Sequence, residues 1–487
     1  MSPVYCPPPD EEPIPKKHYF KFLERVPASR WRAVSIIIPL LALAVISLLP
    51  LQMDRPMQYT LAILVCISML WTFGMIPLAV TALLVPVLLV GFGVFSPVEA
   101  LQPFADPVVY LLVGGLIIAE TFRKNGMDKR LAYYLVTMAK GDLRRTLMAL
   151  IASSALMSMW ISNTATVALL IPVALGVASH AGDCSKKVGG FFLIGISMGT
   201  GFGALSTMIS SPTNAITSAL LAKVVDWGFV NWLVIGVPTA LALLVLLYVL
   251  LPWAIKPPAV GLDLSTIAEK RSKLGPMKPM EFMVLMVFGF TVVLWIMGDA
   301  IAKATGLPSG IMNSGIVALL SAVVMFIIGA VDWNDAKNIA WDVFLIIGAG
   351  LALGEALEVT GGAKFLAEGL ASMAGTSSLI VVMLLLAIIT FLVTTVLSNT
   401  ATTALLVPIA ISTAASLSID PTPLALTVGM VASISYITPV GTPPVTLAYS
   451  TGTFSRRELA KSGIIIGIPA MFLIIGLIYV FFSFGIV

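Results

Sequence analysis

Ser162-Asn163-Thr164-Ala165-Thr166 recurs as Ser398-Asn399-Thr400-Ala401-Thr402, 236 residues later. The surroundings recur with it: of the fourteen positions from Ser162 to Leu175 and from Ser398 to Ile411, ten are identical, Pro172 and Pro408 among them. Each copy lies between two apolar segments too short to be comfortable membrane spans. Small polar residues in the middle of a hydrophobic hairpin are costly unless something uses them. The pattern predicts two facing hairpin tips that hold one small charged ligand between them.

The composition sets the medium. The chain has 487 residues, 59% hydrophobic and 11% charged, with a mean hydropathy of +1.03. Soluble domains carry about 25% charged residues. An integral membrane protein in a lipid bilayer follows, and apolar runs of about 20 residues fit helices rather than strands. A net charge of +4 fits basic cytoplasmic loops. No nucleic-acid partner is expected. Cys6, Cys66 and Cys184 lie without metal or redox spacing, so no disulfide, Fe–S or zinc centre is expected. His18 and His180 are too few for a histidine metal site.

Working outward from the motif, the first half reads as spans near 33–51, 57–75, 77–95 and 107–122. A basic stretch follows, in which Leu131, Tyr134, Leu135 and Met138 recur at helical spacing, the mark of a helix on the membrane surface. Then come the first hairpin, about 146–180 with its tip at Ser162, an apolar run over 188–222 broken at 199–213, and a clean span over 231–255. The basic stretch 256–278 is a cytoplasmic linker. The second half replays the first: spans near 280–298, 312–330 and 341–357, an amphipathic piece at 363–374, a hairpin with arms 378–396 and 401–417, a broken span over 422–450 and a last span over 463–484. Asp106 matches Asp342, Gly114 matches Gly350 and Gly126 matches Gly362 at the same offset.

The organisation expected is a basic, disordered cytoplasmic tail over 1–32 without a signal peptide, a first half over 33–255, the linker, and a second half over 279–487. Lys and Arg concentrate in 123–145, 186–187, 256–278 and 455–461. The positive-inside rule then puts the N-terminus in the cytoplasm and the C-terminus outside, in the cell inner or plasma membrane. The fold expected is an all-α polytopic membrane protein of about eleven transmembrane helices plus two re-entrant hairpins in an inverted repeat.

Ser, Asn and Thr are good helix N-caps. A capped N-terminus still presents N–H groups and a dipole that attract anions. Two such ends suit a dianion, but each dipole is worth only about 0.3–2 kcal/mol, far less than the cost of buried charge. Cations must help, and neither hairpin carries Lys or Arg near the motif. Na⁺ held by hydroxyls, amide oxygens and carbonyls freed at broken helices meets that need. Ser210-Ser211-Pro212-Thr213-Asn214 and Gly441-Thr442-Pro443-Pro444-Val445 supply such breaks. Ser158 and Thr394 stand one helical turn before the motifs, on the same face as Ser162 and Ser398.

Two Ser-Asn-Thr tips, each followed by a broken helix with Ser-Pro-Thr-Asn or Thr-Pro-Pro, resemble the divalent anion:sodium symporter family, the INDY-type dicarboxylate transporters. The resemblance covers nearly all of the chain beyond residue 33. It implies a homodimer of protomers with scaffold and transport domains, an elevator motion, and Na⁺-coupled secondary transport of C4-dicarboxylates such as succinate, malate or fumarate. Alternatives inside the same fold are a sodium-independent exchanger and a sulfate or citrate carrier. One Na⁺ would be bound by Ser158, Ser162, Asn163 and the Ser210 carbonyl. The other would use Thr394, Asn399 and the carbonyls of Leu397 and Gly441. The substrate would meet Asn163, Thr164, Ser398, Asn399 and Thr400, with Ser211, Thr442 and Pro443 shaping the pocket. The family pattern in the broken helices is Pro-Pro-Asn; here Thr213 replaces a proline in the first and Val445 the asparagine in the second.

An intramembrane enzyme needs a catalytic set within the spans. The chain has no His-Glu-x-x-His, and both histidines lie outside the spans. Glu120, Glu355 and Glu358 sit near span ends, where helix-end roles account for them. No catalytic residue and no organic cofactor are expected, and a channel is a weaker reading than a carrier.

Overall fold

The computed structural model describes residues 28–374, 378–439 and 442–486. Residues 1–27 of the tail expected over 1–32 and the expected ligand Gly441 lie outside the described residues; residues 28–32, expected in the disordered tail, instead begin the first helix. The chain is a polytopic all-α membrane protein, and no strand occurs among the described residues.

Four helices open the chain: α1 (Ala28–Leu48), α2 (Arg55–Phe73), α3 (Leu78–Gly91) and the short α4 (Pro97–Leu101). α5 (Pro107–Lys124) starts at an Asp106 cap, whose Oδ1 accepts from the Val108 N–H at 2.9 Å. α6 (Met127–Thr137) is a helix in the basic stretch, where the spacing predicts one. The first hairpin is α7 (Leu143–Ser158) and α8 (Asn163–Ala178). α9 (Ser185–Ala204) and α10 (Pro212–Leu221) form the first broken segment, and α11 (Phe229–Ile255) the clean span after it. The linker contains a helix, α12 (Ser265–Lys273).

The second half runs through α13 (Pro279–Thr305), α14 (Ser314–Ile327), α15 (Trp333–Ala336), α16 (Trp341–Val359) and the amphipathic α17 (Gly362–Ala374). Its hairpin is α18 (Leu379–Thr394) and α19 (Asn399–Ser416). α20 (Pro421–Val431) and α21 (Pro443–Tyr449) form the second broken segment, and α22 (Arg456–Ser483) ends the chain.

Each expected span has a helix or a broken pair in its place. Among the described residues, five helical stretches are long and apolar enough to cross a membrane, seven if each bent pair is one span. On α11, Leu241, Val245, Val249 and Trp253 form an exposed stripe at four-residue spacing. On α13, Phe282, Met286 and Phe290 do the same. Exposed apolar stripes at helical period suit hydrocarbon, not water.

The first break is narrower than expected. The helix continues through Gly199, Gly201 and Gly203 and stops only after Ala204. These glycines serve close approach instead. A Cβ on Gly203 would fall 2.3 Å from Ala155 Cα of α7, and one on Gly201 would strike the Tyr436 hydroxyl. A mid-helix glycine loosens a helix, but here it lets α9 sit against the first hairpin. The disulfide expectation also fails. Cys184 is disulfide-bonded, while Cys66 is a free, buried thiol; chain spacing does not show which thiols a fold brings together.

The linker is more than a connector. The Leu262 N–H donates to the Gly141 carbonyl at 2.9 Å. Gly141 has φ 80° and no room for a Cβ, which would fall 2.4 Å from the Leu262 oxygen. The Arg271 guanidinium lies 4.8 Å above the Tyr134 ring and donates to Thr137 Oγ1 at 2.9 Å. Arg130 donates to the Gly275 carbonyl at 2.8 Å and pairs with Glu281 at 3.0 Å. α12 is thereby strapped across α6 and lies against α8.

Candidate functional site

The two tips are built alike. Ser162 caps α8 and Ser398 caps α19: each Oγ accepts from the N–H three residues on, Ala165 at 3.4 Å and Ala401 at 3.3 Å. Ser158 Oγ donates to Asn163 Oδ1 at 2.6 Å. Thr394 Oγ1 lies 2.9 Å from Asn399 Oδ1. The hydroxyls one turn before each motif therefore reach the motif asparagines, one position past the serines whose face they were expected to share.

The broken segments lock onto the hairpins. Thr207 Oγ1 donates to the Met159 carbonyl at 2.6 Å, tying the first break to the first tip. Thr394 Oγ1 is also 2.9 Å from the Ala432 carbonyl, so one hydroxyl proton faces two acceptors. Thr395 Oγ1 and Ser435 Oγ are 3.0 Å apart. The two breaks then meet each other, with Thr213 Oγ1 2.8 Å from Ser433 Oγ. The packing crosses over: α10 lies against α19 of the second hairpin, and α21 lies against α8 of the first. One hydrogen-bonded frame thus joins both tips through both breaks.

Within the first break the side chains are occupied. Ser210 Oγ donates to the carbonyls of Ala204 and Thr207. Asn214 Nδ2 donates to the same two carbonyls at 2.8 Å each. Ser211 caps α10, and its Oγ is 2.7 Å from Thr213 Oγ1. The proline-to-threonine departure at 213 thus supplies the bridge to Ser433. In the second break Val445 is buried and Thr446 takes over, donating to the Pro439 carbonyl at 2.6 Å. That contact spans seven residues, as does Asn214 to Thr207.

Several polar groups have no protein partner. No backbone donor reaches the carbonyl of Ser210 or of Leu397 among the described residues. Thr164 is exposed and Thr400 half-buried, and neither hydroxyl is hydrogen-bonded among the described residues. The Thr442 hydroxyl is buried without a partner, as are those of Thr166 and Tyr436. Pro443 opens α21 with its ring exposed. Buried polar groups are normally paired, and Thr166 in the first turns of α8 and Thr442 at the start of α21 are two that are not.

The sequence reading missed Thr207, Thr213, Ser433, Ser435 and Thr446 as structural members of this frame. Each is a hydroxyl within a proline-bearing break of an apolar run, and that was the available signal. Of the helix-end carboxylates, Glu120 holds Arg123 at 2.7 Å and Glu355 holds Lys223 at 2.8 Å. Neither enters the frame.

Comparisons with known proteins agree with this architecture. A transporter of Haemophilus influenzae is 32% identical over 86% of this chain and 91% of its own length. The sodium-dependent dicarboxylate transporter SdcS of Staphylococcus saprophyticus is 29% identical over 90% of this chain and 89% of its own. Among solved structures, Neisseria gonorrhoeae MtrF superposes with a TM-score of 0.56 at 15% identity, over 90% of this chain and 96% of that one. The Alcanivorax borkumensis YdaH transporter gives 0.52 at 15% identity, over 79% and 87%. At that identity the likeness is one of fold. A family model described as the sodium:sulfate symporter transmembrane region matches residues 30–485. With its twin Ser-Asn-Thr tips in one frame and that match across nearly its whole length, the chain belongs to the divalent anion:sodium symporter family of membrane transporters.

Proposed function

We propose that the protein is a secondary active transporter that carries C4-dicarboxylates across the membrane together with Na⁺. The observation that carries this reading is the shared frame, which joins two capped helix N-termini, each beside an open threonine hydroxyl, through both broken segments. The name of the staphylococcal relative supports the substrate and the ion.

In the proposed site the substrate carboxylates meet the N-termini of α8 and α19, where the dipoles and first-turn N–H groups favour negative charge. Asn163, Thr164, Ser398, Asn399 and Thr400 orient them, and Ser211, Thr442 and Pro443 bound the space. Two co-transported Na⁺ ions offset charge that the dipoles alone cannot. One sits among Ser158, Ser162, Asn163 and the Ser210 carbonyl. The other sits among Thr394, Asn399 and the carbonyls of Leu397 and Gly441. Hard oxygen donors without a carboxylate suit a monovalent, weakly held cargo ion.

The two-repeat division at a linker over 256–278, the opposite entry of the hairpins and an elevator motion of a transport domain against a scaffold belong to this proposal. So do a homodimer and a cytoplasmic N-terminus. The orientation is supported by α6 and α12, which carry five of the 28 Lys and Arg and pack together.

The test is uptake of radiolabelled succinate into proteoliposomes under an imposed Na⁺ gradient. Uptake that follows the gradient is expected. Uptake indifferent to Na⁺ but driven by internal dicarboxylate would establish exchange instead. A sulfate carrier is a second reading, favoured by the description of the matching family. It requires sulfate to abolish succinate uptake at equal concentration.

A further inference from the structure

A cavity of about 410 Å³ opens beside the first hairpin. One wall is a single stripe of α8, Ala165, Leu169 and Pro172, beginning at the tip with Ile161. At 1.5 Å per residue this wall runs roughly 10–12 Å outward from the tip. Its mouth is basic: Arg123 and Lys129 come from the end of α5 and from α6, and Lys270 comes from α12. The wall offers apolar and small side chains, so it gives an anion nothing to hold on the way.

The lysines are available. Arg123 is engaged by Glu120, but no carboxylate pairs with Lys129 or Lys270 among the described residues, and both are exposed. Asp128 is the one acid that lines the cavity. It is buried, and its Oδ1 accepts from the Lys129 N–H at 2.7 Å. The straps at Leu262–Gly141 and Arg271–Tyr134 fix α12 in place, so Lys270 is held beside α6 rather than trailing on a loose linker.

We propose that Lys129 and Lys270 form an anion-gathering mouth that draws the dianionic substrate along α8 to the first tip. This rests on the dicarboxylate reading above. The two lysines touch no bound substrate; they are steering residues, raising the local concentration of anion and hence its rate of entry. Such an effect belongs to one face of the membrane and fades with salt.

The test uses the full chain in right-side-out and inside-out membrane vesicles, with radiolabelled succinate at fixed Na⁺ and ionic strengths of about 20 and about 300 mM, either side of strong screening. The variants are the double substitution Lys129→Gln with Lys270→Gln, and the pair Lys129→Arg with Lys270→Arg. For substrate added on the face that bears α6 and α12, the glutamine pair is expected to raise KM about 3- to 10-fold at low ionic strength with turnover unchanged. The difference should close at high ionic strength, vanish for substrate added on the other face, and be reversed by the arginine pair. A wild type with Na⁺-driven uptake and a glutamine pair indistinguishable from it at low salt on both faces would overturn the mouth alone. So would a loss equal on both faces that arginine does not restore. A wild type that takes up no succinate would overturn the dicarboxylate reading itself.

Discussion

The hydroxyl of Thr213 lies 2.8 Å from the hydroxyl of Ser433, and through this contact the two broken segments, 220 residues apart in sequence, become one structure. Thr213 is also 2.7 Å from Ser211, the cap of α10. Removing either end of a buried hydroxyl pair costs about 1 kcal/mol, more when the survivor is left without a partner. Ser433→Ala and Thr213→Val are each expected to destabilise the protein by about 1–3 kcal/mol. The double variant should lose less than the sum, because the two act through one contact. Thermal unfolding of the four proteins in detergent measures this. Strictly additive losses would show that the breaks are held together by something else.

Thr164 and Thr400 test whether the tips bind or merely cap. The serines do the capping, and the threonine hydroxyls have no protein partner to lose. Thr164→Ala and Thr400→Ala should leave the melting temperature unchanged. Each should raise the KM for succinate about 10- to 100-fold, the loss of one hydrogen bond to a charged group. Wild-type affinity in both variants would reduce the tips to helix caps.

Ser158 and Thr394 should govern the sodium dependence rather than the substrate's. Each holds the Oδ1 of a motif asparagine and offers its own oxygen beside it. Ser158→Ala and Thr394→Val are expected to raise the Na⁺ concentration for half-maximal uptake by about tenfold, on the order of 1.4 kcal/mol of ion binding. Thr394→Ser keeps the hydroxyl and should stay near wild type. Uptake titrated with Na⁺ at saturating succinate reads this directly, and an unshifted titration in both variants argues that the ions bind elsewhere.

Much of this architecture could be read before any coordinates, for a specific reason. The bilayer forces helices on an apolar chain, and a motif repeated at a fixed offset marks the tips whatever their surroundings. What the letters could not carry was the partner of each polar group. Thr213 and Ser433 look like ordinary hydroxyls in apolar runs until α10 and α20 are packed together. Glycines mislead in the opposite way: Gly199, Gly201 and Gly203 read as a break but are close-packing positions of α9, the first and third against α7 and the second against Tyr436. The linker likewise reads as solvent-exposed polarity, because nothing local announces that Arg130, Gly141 and Arg271 will tie it down.

The tie between α5 and the α15 turn should be insensitive to ordinary changes of pH. Lys124 Nζ lies 2.9 Å from Asp332 and 2.5 Å from Asp335. Its ammonium, donating to Asp332, holds that carboxyl down at about 2. A depressed carboxylate contributes stability that is present above its unfolded value near pH 3.9 and is lost as pH falls through the folded value. The difference in melting temperature between wild type and Lys124→Gln should therefore be the same at pH 7.5 as at pH 5.5, two values well above that window. A gap that narrows between them would place the relevant titration on another group.

Trp160, in the turn between α7 and Ser162, is the point where the first tip touches α13. Its ring meets Phe288 edge-on at 4.8 Å and lies parallel to Trp295 at 6.5 Å. Aromatic pairs of this kind contribute about 0.5–1.5 kcal/mol each beyond their buried area. If the hairpin moves against α13 during transport, these contacts break and re-form in every cycle, while the hydroxyl frame travels intact. Trp160→Ala should then change turnover by about two- to tenfold, the kinetic equivalent of one such pair. Succinate affinity and the Na⁺ titration should stay near wild type, because Trp160 bonds to none of the frame oxygens. Uptake kinetics together with equilibrium succinate binding separate the two effects. A variant with unchanged turnover, or one whose loss lies wholly in substrate binding, would show that the tip does not part from α13 in the step that limits transport.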